Sequence, residues 1–150
     1  MAKRKLSEEQ KLRNRIIQNV NSRSNFLNRE GYRDIKNTFI EKYVLTEIAV
    51  KNVLTSYYKN KGEPKDVESI EMGMSTIEAA LKQAGYNFDD DILIRMYKAR
   101  QKRGERSARD LRNGIVHDLN VNDIQELVSR KDELLGLLDD FLNALLTPIA

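Results

Sequence analysis

"DIQELVSRKDELLGLLDDFLNAL", Asp123 to Leu145, is the stretch that decides the fold. Ile124, Leu127, Val128, Leu134, Leu135, Leu138, Phe141, Leu142 and Leu145 recur at helical intervals, so they gather on one face of an α-helix instead of alternating as a strand would require. Acids and polar residues fill the gaps. The stretch therefore predicts one amphipathic helix, opened by Asn122 or Asp123, whose broad apolar face needs other helices to cover it.

Working back toward the N-terminus, the same period returns. Ser7 with Gln10 forms a capping-box pattern that opens a first helix toward Asn28, with a weak stripe of Leu12, Ile16, Val20 and Leu27 that Gly31 ends. A second helix, about Arg33 to Asn60, carries Ile35, Phe39, Tyr43, Val50, Val53, Leu54 and Tyr57. Lys61-Gly62-Glu63-Pro64 is a turn. Asp66 is then expected to cap a third helix through Val67, Ile70, Met74, Ile77, Leu81 and Ala84, stopped by Gly85. Asn87 to Asp91 leads into a short helix of Ile92, Leu93, Met96 and Tyr97 that fades across Arg100 to Arg106, where Gly104 interrupts it. Ser107 caps a segment with Ala108, Leu111, Ile115 and Leu119, unless Asp90 to Asp118 runs as a single kinked helix. No stretch alternates like a strand. The expected fold is an all-α bundle of four to five helices in one domain over residues 1–150, with residues 1–6 a basic tail.

With 40% hydrophobic and 33% charged residues, the composition matches a water-facing helical protein. The absence of cysteine excludes disulfides, thiolate catalysis and sulfur-ligated zinc. No apolar run is long enough to cross a bilayer, and no hydrophobic stretch follows Met1 to Lys5 as a secretory signal would demand, so the expected location is the cytoplasm with no membrane partner. The charge is segregated along the chain: Arg95 to Arg112 holds eight Lys/Arg against Glu105 and Asp110, whereas Asp118 onward holds seven acids against Arg130 and Lys131. A basic stretch of this kind suits a polyanion, phosphates above all, although it also suits a solvated helix face.

Within that stretch lies "RNGIVH", Arg112 to His117, with the chain's only histidine. Histidine can take a proton from a hydroxyl or return one to a leaving oxygen near neutral pH, and arginine can grip phosphate oxygens and offset the charge that builds on them. RNA carries its own nucleophile, the ribose 2′-hydroxyl, so cleavage needs neither metal nor thiol. On a helix Asn113 and His117 share a face while Arg112 stands roughly 140° from the histidine. Arg106 and Arg109, read on nearly the same line as Asn113, would present guanidinium groups to a phosphate, with Arg103 nearby. A single histidine is one short of the usual acid-plus-base pair, and a symmetric dimer would supply the second.

These residues resemble the R-x4-6-H signature of the HEPN superfamily, the higher eukaryotes and prokaryotes nucleotide-binding domains. The resemblance implies a helical bundle with the motif in a late helix, and a metal-independent endoribonuclease acting as a homodimer on single-stranded or looped RNA, with no cofactor. It also implies a setting in toxin–antitoxin or phage-defence systems, with a cognate antitoxin or regulatory protein as a further partner. Carried over by position, Arg112 and His117 become the catalytic pair and Asn113 a supporting polar residue; Arg103, Arg106 and Arg109 are the expected RNA-binding residues. Leu119 stands where one subgroup has tyrosine, which separates this chain from toxins paired with nucleotidyltransferase antitoxins.

Other readings stay open. The domain could bind RNA, a nucleotide or a protein without catalysis, as some HEPN members do. His117 could be a surface residue favoured by the negative end of a helix, and Asn113-Gly114 could be a turn that separates it from Arg112. Asp89-Asp90-Asp91 could hold a divalent cation as in helical nucleotide pyrophosphohydrolases, or could simply cap a helix. The Lys3-Arg4-Lys5 run could touch nucleic acid nonspecifically.

Overall fold

A computed structural model describes residues 6–66, 73–99 and 103–147. Among these residues the chain is all helix with no strand: α1 (Glu8–Leu27), α2 (Tyr32–Asn60), α3 (Met74–Gln83), α4 (Asp90–Tyr97), α5 (Ala108–Asp118), α6 (Val121–Ser129) and α7 (Lys131–Leu146). None is long and apolar enough to cross a membrane.

The Asp123–Leu145 stretch forms the core as its pattern requires, but as two helices. Arg130 breaks the run with a non-helical backbone at φ −108° and ψ 21°, so α6 ends at Ser129 and α7 begins at Lys131. This break, together with the separation of α4 from α5, raises the four or five expected helices to seven among the described residues. From α6, Ile124 and Leu127 are buried; from α7, Leu134, Leu138 and Phe141 are wholly so. They pack with the long α2, whose Phe39, Tyr43, Thr46, Val50 and Leu54 line the opposite side. The Phe141 ring meets Phe88 at 4.8 Å between centroids and Tyr97 edge-on at 6.4 Å, and the Tyr86 hydroxyl donates to the Leu145 carbonyl at 2.6 Å. These contacts tie α7 to the α3–α4 connection and to α4.

Local signals set most helix ends. The Ser7–Gln10 box closes in both directions, at 3.0 and 3.2 Å. Gly31 takes a left-handed turn, φ +80°, between α1 and α2, and Gly85 does the same after α3 at φ +92°. Two expectations change. α3 begins at Met74 behind an extended Gly73 and not at Asp66, while Val67 and Ile70 lie outside the described residues. Asp90 to Asp118 is not one kinked helix, because Ala99 and Gly104 both adopt positive φ between α4 and α5. Met1 to Lys5 also lie outside the described residues, as do Arg100 and Lys102.

α1 departs most from its expected role. Leu27 is buried, but every residue from Glu8 to Ser22 is exposed, and Leu12, Ile16, Ile17 and Val20 keep half or more of their surface in solvent. The weak stripe does not face the bundle. Instead α1 is anchored at its C-terminal end by Phe26 and Leu27 and by Arg23, whose Nε donates to the Asp118 carbonyl at the end of α5.

Candidate functional site

The motif sits in one unbroken helix. Ser107 caps α5 by accepting from the Asp110 amide at 3.1 Å, and Asn113-Gly114 lie in its interior, so the alternative of a turn between Arg112 and His117 is not realised. Leu111 and Ile115 face the core, completely buried. Leu119 ends the helix in a left-handed conformation, φ +45°, with its amide and that of Asn120 bonded to the Ile115 and Gly114 carbonyls.

Gly114 has a structural reason that its sequence position only hints at. A Cβ there would fall 1.7 Å from Asp123 Oδ2 and 2.8 Å from Asp123 Cγ, so α6 docks on α5 through the missing side chain. Asp123 is buried, with Oδ1 paired to Arg106 Nη1 at 2.6 Å. Burial raises its carboxyl above the usual range; the facing Arg106 guanidinium pulls the other way and does not cancel it.

Arg112 lies on the side of α5 that faces α2. Its guanidinium stands 5.7 Å over the Tyr43 ring and 3.9 Å from Glu47 Oε2, and Nη1 donates to Asn113 Oδ1 at 2.9 Å. Glu47 is held more closely by Lys51, at 2.7 Å. Arg112 Nε is buried and makes no hydrogen bond, so the guanidinium is positioned with part of its donor set unused. His117 is exposed in the last turn of α5, where the helix dipole favours a cation. Arg112 and Asn113 are thus brought together, whereas His117 stands five residues on and about 140° round the helix.

Of the three other arginines, Arg106 and Arg109 hold partners within the chain. Arg106 precedes α5, spends Nη1 on Asp123, and has its amide held by Glu126 Oε2 at 2.9 Å. Arg109 donates to the Tyr97 carbonyl at 3.0 Å and lies 5.1 Å over the Tyr97 ring. Burial lifts the Tyr97 phenol far above its usual range, which keeps it neutral beneath the arginine. Arg103 is exposed. A fourth arginine that sequence reasoning passed over organises this region: Arg130 bonds Glu126 at 2.6 Å, Glu133 at 2.9 Å and the Arg106 carbonyl at 3.0 Å, joining the α4–α5 connection to the α6–α7 break. A basic residue next to Lys131 in an apparently continuous helix gave no signal of this. The mid-helix Gly114 did give one, since glycine costs about 1 kcal/mol relative to alanine there and needs a compensating reason.

The Asp89–Asp91 acids act as a helix start. Asp89 Oδ1 accepts from the Asp91 amide at 3.1 Å, and Asp91 pairs with Arg95 at 3.1 Å. Among the described residues no group of three or more His, Asp or Glu is arranged to hold a metal ion.

Beside the motif, Ile115, Val116 and Leu119 of α5 face Lys36, Asn37, Ile40 and Glu41 of α2 across an open groove of about 340 Å³. The chain matches no protein-family model, no curated protein and no solved structure.

Proposed function

We propose that this chain is a HEPN-type, metal-independent endoribonuclease that works in the cytoplasm as a homodimer on single-stranded or looped RNA. Its setting is toxin–antitoxin or phage defence, with a cognate antitoxin or regulatory protein as a second partner. The observation that carries this reading is the pair at the two ends of RNGIVH: a guanidinium held beside Tyr43 and Asn113, and an imidazole open to solvent on the same helix.

In the proposed reaction the 2′-hydroxyl oxygen attacks the adjacent phosphorus as the P–O5′ bond breaks. One His117 takes the hydroxyl proton and the second copy's His117 protonates the departing O5′, leaving a 2′,3′-cyclic phosphate and a 5′-hydroxyl. Arg112 donates to the phosphate oxygens as their negative charge grows. Accessible RNA is favoured because A-form duplex holds the 2′-oxygen out of line with its leaving group. Cleavage of an unstructured RNA in EDTA by wild type, lost in His117→Ala and in Arg112→Ala, is the test; unchanged turnover in both variants refutes the reading.

A second reading is favoured by one observation. Arg106 and Arg109 are engaged within the chain, so the positive surface offered to a polyanion is smaller than the sequence suggests. That suits a non-catalytic domain that binds RNA, a nucleotide or a protein. RNA retention without cleavage in the same assay would establish it.

A further inference from the structure

The largest feature left unexplained is the free face of α1. Leu12, Ile16, Ile17 and Val20 are 51%, 53%, 51% and 60% exposed among the described residues. Together they present on the order of 400 Å² of apolar surface, comparable with the largest patch on a typical single chain, which is often functional. Glu9, Leu12, Ile16, Val20 and Arg23 lie within about 40° of one direction on this helix.

Their order is symmetric about Ile16. Steps of three, four, four and three residues separate them, with an acid at one end and a base at the other. We propose that α1 is a dimerisation arm, and that two copies of this chain pair α1 against α1 antiparallel with the two-fold axis at Ile16. In this register residue i faces residue 32 − i of the second copy, so Ile16 meets Ile16, Leu12 meets Val20, and Glu9 meets Arg23. Parallel pairing would instead set Glu9 on Glu9 and Arg23 on Arg23, which repel. Arg23 spends Nε on the Asp118 carbonyl and Nη1 on the Asn19 carbonyl, and no hydrogen bond among the described residues uses its Nη2.

The same arginine links the arm to the motif. Because Arg23 holds the end of α5, antiparallel pairing sets the first turn of the second copy's α1 beside the helix end that carries His117. In this register the two Arg23 residues, and the α5 ends they hold, are offset by about 21 Å along the arm, so the pairing is a contact separate from the one that would bring two His117 to a single linkage. A contact built from two such stripes is small by the standard of permanent dimers, so association is expected to be weak, with a Kd on the order of micromolar.

The absence of native cysteine makes a direct test possible in the full chain. Under mild oxidation Ile16→Cys is expected to cross-link to itself. Leu12→Cys and Val20→Cys should each stay uncross-linked alone and form a mixed dimer when combined, because like positions are offset by about 12 Å along the axis, beyond the span of a disulfide. Ile16→Glu is expected to weaken association at least tenfold by sedimentation equilibrium; the residue lies outside the core, so thermal unfolding at concentrations below the Kd should be unchanged. Self-cross-linking of Leu12→Cys and Val20→Cys would overturn the antiparallel register. A wild-type chain that stays monomeric up to about 100 μM would overturn the pairing itself. Monomer bound through α1 to phosphatidylcholine–phosphatidylserine vesicles, or to RNA, would overturn it equally. Failed cross-linking with intact cleavage rejects the arm alone, while cross-linking without cleavage supports the arm and rejects the nuclease.

Discussion

Substituting Gly114 by alanine tests how α5 is seated. In an exposed helix the change would stabilise by about 1 kcal/mol through propensity. Here the new methyl would fall 1.7 Å from Asp123 Oδ2, less than half a normal contact distance, and the oxygen has little freedom to retreat. Asp123 is 1% exposed and its other oxygen is pinned by Arg106 at 2.6 Å. Either the carboxylate turns away and loses that pair, or α6 shifts and opens the Ile124–Leu127 packing. Either route costs roughly 1–3 kcal/mol, so after the propensity gain of about 1 kcal/mol the net loss is expected to reach about 2 kcal/mol. For a chain of this size that lowers Tm by up to about 6 °C. Thermal unfolding followed by circular dichroism reads it. In an Asp123→Ala background the same substitution should become neutral or stabilising, because the atoms in conflict are gone. A Gly114→Ala chain more stable than wild type, or an equal loss in both backgrounds, would refute the close approach.

Three further outcomes are expected. Arg130→Ala should cost about 2–4 kcal/mol in urea unfolding, since it leaves Glu126 and Glu133 without their arginine and the Arg106 carbonyl without its donor; a loss below about 0.5 kcal/mol would show that the node is incidental. Asp123 has a folded-state carboxyl pKa above its unfolded value, so the folded chain holds the proton more tightly, and this group's contribution to stability falls as pH rises from 3.8 through the raised value. Wild type should therefore gain stability relative to Asp123→Asn on acidification through that window, and a gap independent of pH would contradict the shift. Arg112→Lys should retain folding but lose most cleavage, because an ammonium cannot reproduce the planar donors; full activity would mean that charge alone suffices.

Much of this was legible in the sequence where local chemistry decides the outcome. Ser7, Gly31, Gly85 and Ser107 end or start helices through their own side chains or backbone freedom, and the buried faces of α2, α3 and α7 follow the 3.6-residue period. Legibility failed where tertiary contacts decide. The break at Arg130 is stabilised by carboxylates from both sides of it, and no residue there disfavours helix strongly enough to announce it. The α1 stripe had the right period, but periodicity says only that a face is apolar and not which molecule covers it. At the motif, types and spacing gave Arg112, Asn113 and His117, and the inward direction of Leu111 and Ile115 followed from the helix. The partners could not be read: Glu47 and Tyr43 come from α2, and Asp123 from α6, at separations that only the fold brings together.

The most direct measurement is product analysis of a labelled, unstructured RNA incubated with the chain and excess EDTA, comparing wild type with His117→Ala. A wild-type product ending in 2′,3′-cyclic phosphate, absent from the variant while its thermal unfolding is unchanged, is the predicted result. Equal cleavage by both proteins, or none by wild type at concentrations where it binds the RNA, would contradict it.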